Sequence, residues 1–472
     1  MIEKERSFYP PVPKTGEKCA VFGIYSTSSN NSNITAKGLF SLQHRGQESS
    51  GITSSDGSDI FFHRRTGLVS QVYDEESLNS LIGNLAIGHN RYATYSKRSA
   101  GEHLQPVIDT ENSFTLAHNG NIPDTGEIES FLDKHGIKTE SLNDTEMMHA
   151  AILYYVKKGA SLDDAIIDAV PLFTGAFSLL AMDRRRIVAI RDKNGIRPFS
   201  IGSLDGGYVF SSETCAFNTV GARFIRDVAP GEMVVANENG LQSVEFAKGE
   251  QKLDIFEFIY FSRPDSVLLE KLVYTVRENF GKILAEEYPI KGDIVIPVPD
   301  SGVPAAIGYS EASGIPFKEG LIKNRYIGRT FITPGQDKRN EDVTLKLNPM
   351  PDVLRGMRVI VADDSIVRGT TSKRLVKMIR DAGAREVHMV ITSPLVRFPD
   401  FYGIDTPSQK ELIGANKTVE EIRRFISADS LSFLSLEGTI SATGLPAEVF
   451  STSCFTGEYP IDIGKRKKEI SQ

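Results

Sequence analysis

Short apolar runs, each broken by a cluster of small and polar residues, set the rhythm of the first half of the chain. Cys19-Ala20-Val21-Phe22-Gly23-Ile24-Tyr25 has the composition of a buried strand and leads into a polar Ser/Asn loop over 26–33. A helix is expected from near Ile34, with Gly46 as its stop. Leu85 to Arg91 and Phe114 to Ala117 read as two more strands. They end in His89-Asn90-Arg91-Tyr92-Ala93-Thr94 and His118-Asn119-Gly120-Asn121, so polar groups crowd the strand ends. Asn143-Asp144-Thr145-Glu146 opens a helix to about Lys158, where an N-cap is the plain alternative for Asp144.

Glu245 to Leu253 is polar and carries no apolar period, which marks it as a linker. Beyond it strands alternate with helices. Val267 to Tyr288 is helical, Asp293 to Pro299 is a strand, and Asp300-Ser301-Gly302-Val303 is a turn of phosphate size. Val359 to Ala362 is a strand, Ser372 to Asp381 a helix, Glu386 to Thr392 a strand, and Val419 to Ile426 a final amphipathic helix. This alternation predicts a mostly parallel sheet with ligands at the carboxyl ends of its strands. Residues 1–18 contain Tyr9-Pro10-Pro11-Val12-Pro13, which favours extended structure, and Lys465-Arg466-Lys467-Lys468 reads as a frayed, solvated terminus.

The stretch Asp363-Asp364-Ser365-Ile366-Val367-Arg368-Gly369-Thr370-Thr371 joins a buried strand to a helix. Such a turn presents backbone N–H groups and a positive helix end to a phosphate. Hydroxyls of Ser365, Thr370 and Thr371 can add hydrogen bonds, and the adjacent carboxylates Asp363 and Asp364 suit a ribose diol and, through it, Mg²⁺. The plain alternative is a helix N-cap in an ordinary α/β unit.

Composition narrows the classes. A chain of 472 residues exceeds what one core normally supports, so at least two domains are expected. No stretch has the length of apolar sequence needed for a membrane span, and the N-terminus lacks the apolar core of a secretory signal, which points to a cytoplasmic protein. With 61 acidic against 54 basic residues the net charge is −7, which gives no overall attraction to nucleic acid. The three cysteines, Cys19, Cys215 and Cys454, are too far apart in sequence to suggest a disulfide framework or a local zinc site.

The Asp363–Thr371 string closely resembles the 5-phosphoribosyl 1-pyrophosphate (PRPP) motif of type I phosphoribosyltransferases, and its spelling resembles the glutamine PRPP amidotransferase family. The resemblance runs from Cys19 to about residue 460, through Gly175-Ala176-Phe177-Ser178, Arg191-Asp192-Lys193-Asn194-Gly195-Ile196-Arg197-Pro198 and Ser212-Glu213-Thr214-Cys215-Ala216. It implies a propeptide over 1–18. A glutaminase domain would follow over 19–251, an N-terminal-nucleophile hydrolase with an αββα sandwich. A phosphoribosyltransferase domain would occupy 252–472.

In such enzymes the nucleophile is the first residue of the mature chain, here Cys19. Asn119 and Gly120 would form the oxyanion hole, Arg91 and Asp144 would pair with the glutamine carboxylate and ammonium, and Thr94, Arg45 and Gly46 would complete the pocket. For PRPP the resemblance implies Asp300, Ser301 and Gly302 on the pyrophosphate, with Ser365, Ile366, Val367, Arg368, Gly369, Thr370 and Thr371 as further PRPP contacts. Lys323, Tyr326, Arg329 and Lys346 would belong to a flexible loop, and Mg²⁺ would be held near Ser301, Asp363 and Asp364.

The implied reaction converts glutamine and PRPP to 5-phosphoribosylamine in purine synthesis, with feedback by purine nucleotides and a homo-oligomer, dimer or tetramer. An ammonia-dependent transferase with an unprocessed glutaminase, or a non-catalytic PRPP or nucleotide sensor, would share these motifs. Two departures are evident: Ala20 stands where the family usually has glycine, and the leader is somewhat long. Some members carry an iron–sulfur cluster on four cysteines. This chain has Asp254, Asp400 and only Cys454 in the matching stretches, so no cluster is expected.

Overall fold

Side chains on opposite faces of a strand must each find a core, and in Lys18–Tyr25 they find two. Val21 joins Ile87, Ala117, Leu180, Phe199 and Phe210 between two sheets. Ala20, Phe22 and Ile24 face Leu39 and Phe217 on the helices Asn31–Ser41 and Cys215–Val220. The strand Thr115–Asp124 divides its side chains in the same way. Ala117 points between the sheets, and Leu116 packs with Met148, Ile152 and Ile166 beneath the helices Asp144–Lys157 and Leu162–Ala169. The result is four layers, helix, sheet, sheet and helix.

The computed structural model describes residues 18–27, 30–92, 103–109, 111, 113–324, 347–404 and 406–470. The first sheet runs in the order Arg223–Asp227, Ser200–Leu204, Gly207–Ser211, Lys18–Tyr25, Leu85–Tyr92, Ser49–Ser55, Ile60–Thr66, and the second centres on Ile187–Arg191, Thr174–Met182 and Thr115–Asp124. Pairing within both is antiparallel.

The second unit has a parallel sheet ordered Ile294–Pro297, Arg358–Asp363, Glu386–Ile391, Ser430–Phe433. The helices Val303–Ser313 and Thr370–Asp381 cross between successive strands, so the turns that precede them lie together at the carboxyl edge. A short antiparallel pair, Leu321–Lys323 with Leu347–Pro349, lies beside this edge.

Five local expectations are corrected. The helix begins at Asn31 and ends at Ser41, and Gly46 instead lies against the backbone of Asn90 and Arg91. The polar motifs at 89–92 and 118–121 lie within strands, because ladder pairing continues through them. The 245–253 segment is no loose linker. Glu250 and Lys252 donate to the Lys193 and Asn194 carbonyls at 2.8 and 2.6 Å, and Leu253–Asp254 pairs with Phe450–Ser451. Val419–Ile426 is not the last helix, since Leu436–Thr443 and Ser453–Thr456 follow.

The tail is the fifth. Ile461 and Ile463 are buried with Phe401 and Tyr402 against Ala176 and Ile196 of the first unit, and the Arg466 guanidinium lies 4.5 Å above the Phe401 ring. Its charges mask an apolar anchor that sequence pattern alone understated. The Tyr402 hydroxyl donates to the Ile461 carbonyl at 2.5 Å and accepts from the Ile461 N–H at 3.0 Å. Tyr402→Phe leaves both backbone groups without that partner and is expected to cost about 1–3 kcal/mol, read as a lower urea midpoint. An unchanged midpoint would show that the two Tyr402 hydroxyl bonds contribute nothing to stability.

Candidate active sites

Cys19 is one residue into its strand, directly across from Arg91, which is in turn across from Ser49. The thiol residue is 1% exposed, and none of the three cysteines is in a disulfide. Two bonds fix the strand around it. Arg45 Nε donates to the Cys19 carbonyl at 3.2 Å, and Val21 N–H donates to Ser212 Oγ at 2.9 Å. The same Ser212 oxygen accepts from Asn119 Nδ2 at 3.2 Å, so one hydroxyl ties the Cys19 strand to the Asn119 amide across the two sheets.

Gly120 has no room for a side chain, since a Cβ there would fall 2.0 Å from the Ala176 carbonyl oxygen. Asn143, not Asp144, caps the following helix, with its side chain accepting from the Glu146 N–H. Asp144 is thereby freed to face the strand, where its Oδ2 accepts from the Ile122 N–H at 3.2 Å and lies 3.8 Å from His118 Nδ1. Burial holds His118 below the usual imidazole range despite the Asp144 charge, so the ring is neutral near pH 7. Arg91 Nη1 donates to the His103 carbonyl at 2.6 Å. Thr94 lies outside the described residues.

Arg45 is fully buried, and its charge is committed to protein groups. Nη1 reaches Glu213 Oε1 at 2.5 Å and Glu257 Oε2 at 3.0 Å, and Nη2 reaches Glu257 Oε1 at 2.8 Å. Glu257 comes from the second unit, on a π-helical turn Glu257–Phe261, and also meets Arg197 Nη2 at 2.8 Å. Glu213 accepts further from His44 at 2.7 Å, Ser266 Oγ at 2.6 Å and the Arg263 N–H at 2.9 Å. Burial alone would raise both carboxyls. Their neighbours override it, His44 and Arg45 for Glu213 and Arg197 and Arg45 for Glu257, and hold both below the carboxylate range.

The second centre is assembled at the carboxyl edge of the parallel sheet. Asp364 accepts from Ser301 Oγ at 2.6 Å and from Ser365 Oγ at 2.7 Å, which brings the two turns together. Gly302 rests on the strand end, where a Cβ would meet the Ala362 carbonyl oxygen at 2.4 Å. Lys323 Nζ binds Asp300 Oδ2 at 2.6 Å. Ile366 is buried in the core, so only its backbone is available to a ligand, while Gly369 takes a left-handed φ of 76° and Thr370 starts the helix. Arg368 turns outward to Glu411 at 2.8 Å. Burial and the adjacent Asp364 push Asp363 well above the carboxylate range, and burial also raises Asp364. Tyr326, Arg329 and Lys346 lie outside the described residues.

Comparison with known proteins finds a family match in each half of the chain. Residues 89–219 match the model of a glutamine amidotransferase domain and residues 268–394 that of a phosphoribosyl transferase domain. An amidophosphoribosyltransferase of a Synechocystis species is 48% identical over 456 residues, covering 95% of this chain and 92% of the relative. The chain belongs to the amidophosphoribosyltransferase family. The Bacillus subtilis relative is 44% identical, with 95% of each chain covered. A solved structure of glutamine PRPP amidotransferase from B. subtilis, complexed with ADP and GMP, superposes with a TM-score of 0.88, covering 95% of this chain and 98% of that one.

Against this amidophosphoribosyltransferase background, the Ala20 methyl is accommodated in the core with Phe22, Leu39 and Cys215. The residues that reading by motif left without a role are Ser212, Glu213, Arg197 and Glu257. A lone carboxylate in the apolar run Ile255-Phe256-Glu257-Phe258-Ile259 was the available signal. Because Glu213 and Glu257 are depressed, the stability they contribute is present above about pH 4.3, the ordinary glutamate value, and is lost on acidification. Glu257→Gln removes the carboxylate that Arg45 and Arg197 share and is expected to cost about 3–5 kcal/mol near neutral pH, with a shallower loss on acidification. Urea midpoints across pH check both, and an unshifted neutral midpoint would exclude the network as a stabilising element.

Proposed function

We propose that the two centres run the two halves of one reaction. The chain hydrolyses glutamine and uses the ammonia to convert PRPP to 5-phosphoribosylamine and pyrophosphate, the first step of de novo purine nucleotide synthesis. The observation that carries the residue assignments is the meeting of Ser301, Asp364 and Ser365 in a chain whose Cys19 pairs across the strand with Arg91.

Removal of residues 1–18 would expose the Cys19 α-amine. With a thiol near pKa 8.5 and an α-amine near 8, the amine can take the thiol proton at neutral pH and later deliver it to departing ammonia. The thiolate attacks the carboxamide carbon to give a tetrahedral intermediate, whose oxyanion Asn119 Nδ2 and the Gly120 N–H stabilise. Collapse leaves a thioester, which water hydrolyses to glutamate. Arg91 receives the substrate carboxylate and Asp144 its ammonium, with Thr94 and Gly46 completing the pocket. Arg45 acts at one remove, by holding the Cys19 carbonyl.

Ammonia then attacks C1 of PRPP, with inversion, as the bond to pyrophosphate breaks. The Ser365–Thr371 backbone and the Thr370 and Thr371 hydroxyls hold the 5-phosphate, Asp363 and Asp364 the ribose diol, and Asp300–Gly302 with Lys323 the pyrophosphate. Tyr326, Arg329 and Lys346 complete the phosphate contacts. Asp363, Asp364 and Ser301 form an acid-rich, all-oxygen donor set that fits Mg²⁺, which when bound would neutralise charge on the departing pyrophosphate. Among the described residues no helix is long and apolar enough to cross a membrane, in keeping with a cytoplasmic enzyme. Purine nucleotides as feedback inhibitors, a dimer or tetramer, and the lack of an iron–sulfur cluster complete the reading.

Pyrophosphate release from PRPP and Mg²⁺, with glutamine or ammonium as donor, tests it on chains whose N-terminus is verified by mass. Cys19→Ala is expected to abolish only the glutamine-dependent rate. Asp364→Asn is expected to lower both rates by about 100-fold, the scale of one lost transition-state contact. Activity with ammonium alone, from chains that retain residues 1–18, would favour an unprocessed glutaminase, and silence with both donors would overturn the assignment.

A further inference from the structure

Two buried carboxyls outside both centres lack the partners that two charged acids would require. Asp254 lies on the short strand that opens the second unit and Asp400 on the loop before Phe401, and they are 3% and 4% exposed. On each, Oδ1 is occupied: Asp254 accepts from the Phe256 N–H at 3.0 Å, and Asp400 from the Tyr402 and Ile404 N–H groups, both at 2.8 Å. On each, Oδ2 is buried and accepts from no N–H or O–H donor among the described residues. The two carboxyls are within hydrogen-bonding reach of each other.

Two carboxylates cannot satisfy that contact, because both only accept and their charges repel strongly away from water. One proton between them satisfies both. We propose that Asp254 and Asp400 share a single proton at neutral pH and serve as positioning residues for the glutaminase centre. The cation that faces both is Arg197, which already holds Glu257, while Glu257, Cys454, Tyr402 and Tyr459 add no compensating positive charge. Burial, and next to it the Asp400 charge, push Asp254 well above the carboxylate range, and burial likewise raises Asp400.

The pair reaches the glutaminase centre through backbone. The Asp254 N–H donates to the Ile196 carbonyl of the first unit at 3.0 Å. The two amide bonds to Asp400 Oδ1 shape the 400–404 turn, whose Phe401 carbonyl accepts from Asn121 Nδ2 at 2.7 Å. Gly403 in that turn sits directly on Gly120, where a Cβ would come within 3.2 Å of the Gly120 carbonyl carbon. The shared proton therefore holds the surface behind the proposed oxyanion hole. The effect on rate rests on that role for Asn119 and Gly120, whereas the shared proton does not.

Infrared difference spectra of the full-length protein test the proton itself. Wild type minus Asp254→Asn near neutral pH is expected to show a protonated-carboxyl C=O band, and its absence overturns the sharing. The amide in Asp254→Asn can donate to Asp400 without a titrating proton. Its glutamine hydrolysis is expected to stay near the wild-type rate, while Asp254→Ala, which abandons Asp400, is expected to lose about tenfold in glutaminase kcat with ammonia-dependent synthesis unchanged. Equal loss in both halves, or none, overturns the positioning role.

Stability versus pH adds a readout in the same variants. A raised folded-state pKa means that the pair's contribution is full below the ordinary aspartate value of about 3.9 and is lost as pH rises through the folded value. Asp254→Asn is expected to flatten that decline, and an unaltered slope counts against the shared proton. A wild-type protein inactive with glutamine would overturn the catalytic assignment and leave the infrared result to stand on its own.

Discussion

A guanidinium with no exposed surface must be neutralised where it lies, because burying one unpaired ion costs several kcal/mol. Arg45 meets that demand with one carboxylate from each half of the chain, Glu213 and Glu257, and its Nε donates to the Cys19 carbonyl. The Cys19 strand is therefore held in place partly through Glu257, a residue of the second unit. Arg197 shares Glu257, and the Phe261 ring lies 4.1 Å from the Arg45 guanidinium carbon and 4.9 Å from that of Arg197. The junction is thus an ionic core with an aromatic lining, and its geometry allows little sliding of one unit over the other.

The same junction continues toward the second centre. Arg277 is buried behind the π-helical turn, donating to the Phe258 and Ser262 carbonyls at 2.7 Å each, and Ser262 in turn donates to Glu257 at 2.5 Å. The charge of Asp364 faces Arg277. The two centres nevertheless differ in electrostatic character. The carboxylates of the junction are depressed because their positive partners are in place, whereas burial raises Asp363 and Asp364, and the neighbouring Asp364 charge raises Asp363 further, against the hydroxyls and backbone N–H that donate to them. The first arrangement is complete within the protein. The second leaves two raised carboxyls that an added cation would stabilise, which is the behaviour expected of a candidate binding site.

Much of the site was legible wherever local chemistry demands a particular residue type. Asp363 to Thr371 could be read as a candidate site because a phosphate-binding turn requires small residues and hydroxyls in close sequence, whereas Gly120 and Gly302 came from the family resemblance, and only the structure shows their backbones touching other chain segments. Helix Val419–Ile426 was legible because its apolar positions keep one face. Glu257, Arg197 and Ser212 were not, because each is functional only through a partner tens to hundreds of residues away. Asp144 was ambiguous for a related reason. Its position at a helix start fits a cap, and only the folded chain shows that Asn143 takes that task.

By itself the sequence determined the succession of strands and helices, the two turns that meet at the transferase centre, and the cysteine at the start of a buried strand, since these follow from periodicity and local backbone demands. Tertiary structure decided what covers the buried charges. Which acid neutralises Arg45, why a basic tail is docked rather than frayed, and how the Asp400 turn comes to rest on Gly120 depend on long-range packing, because a buried charge or apolar anchor is satisfied by proximity in space and carries no signature along the chain.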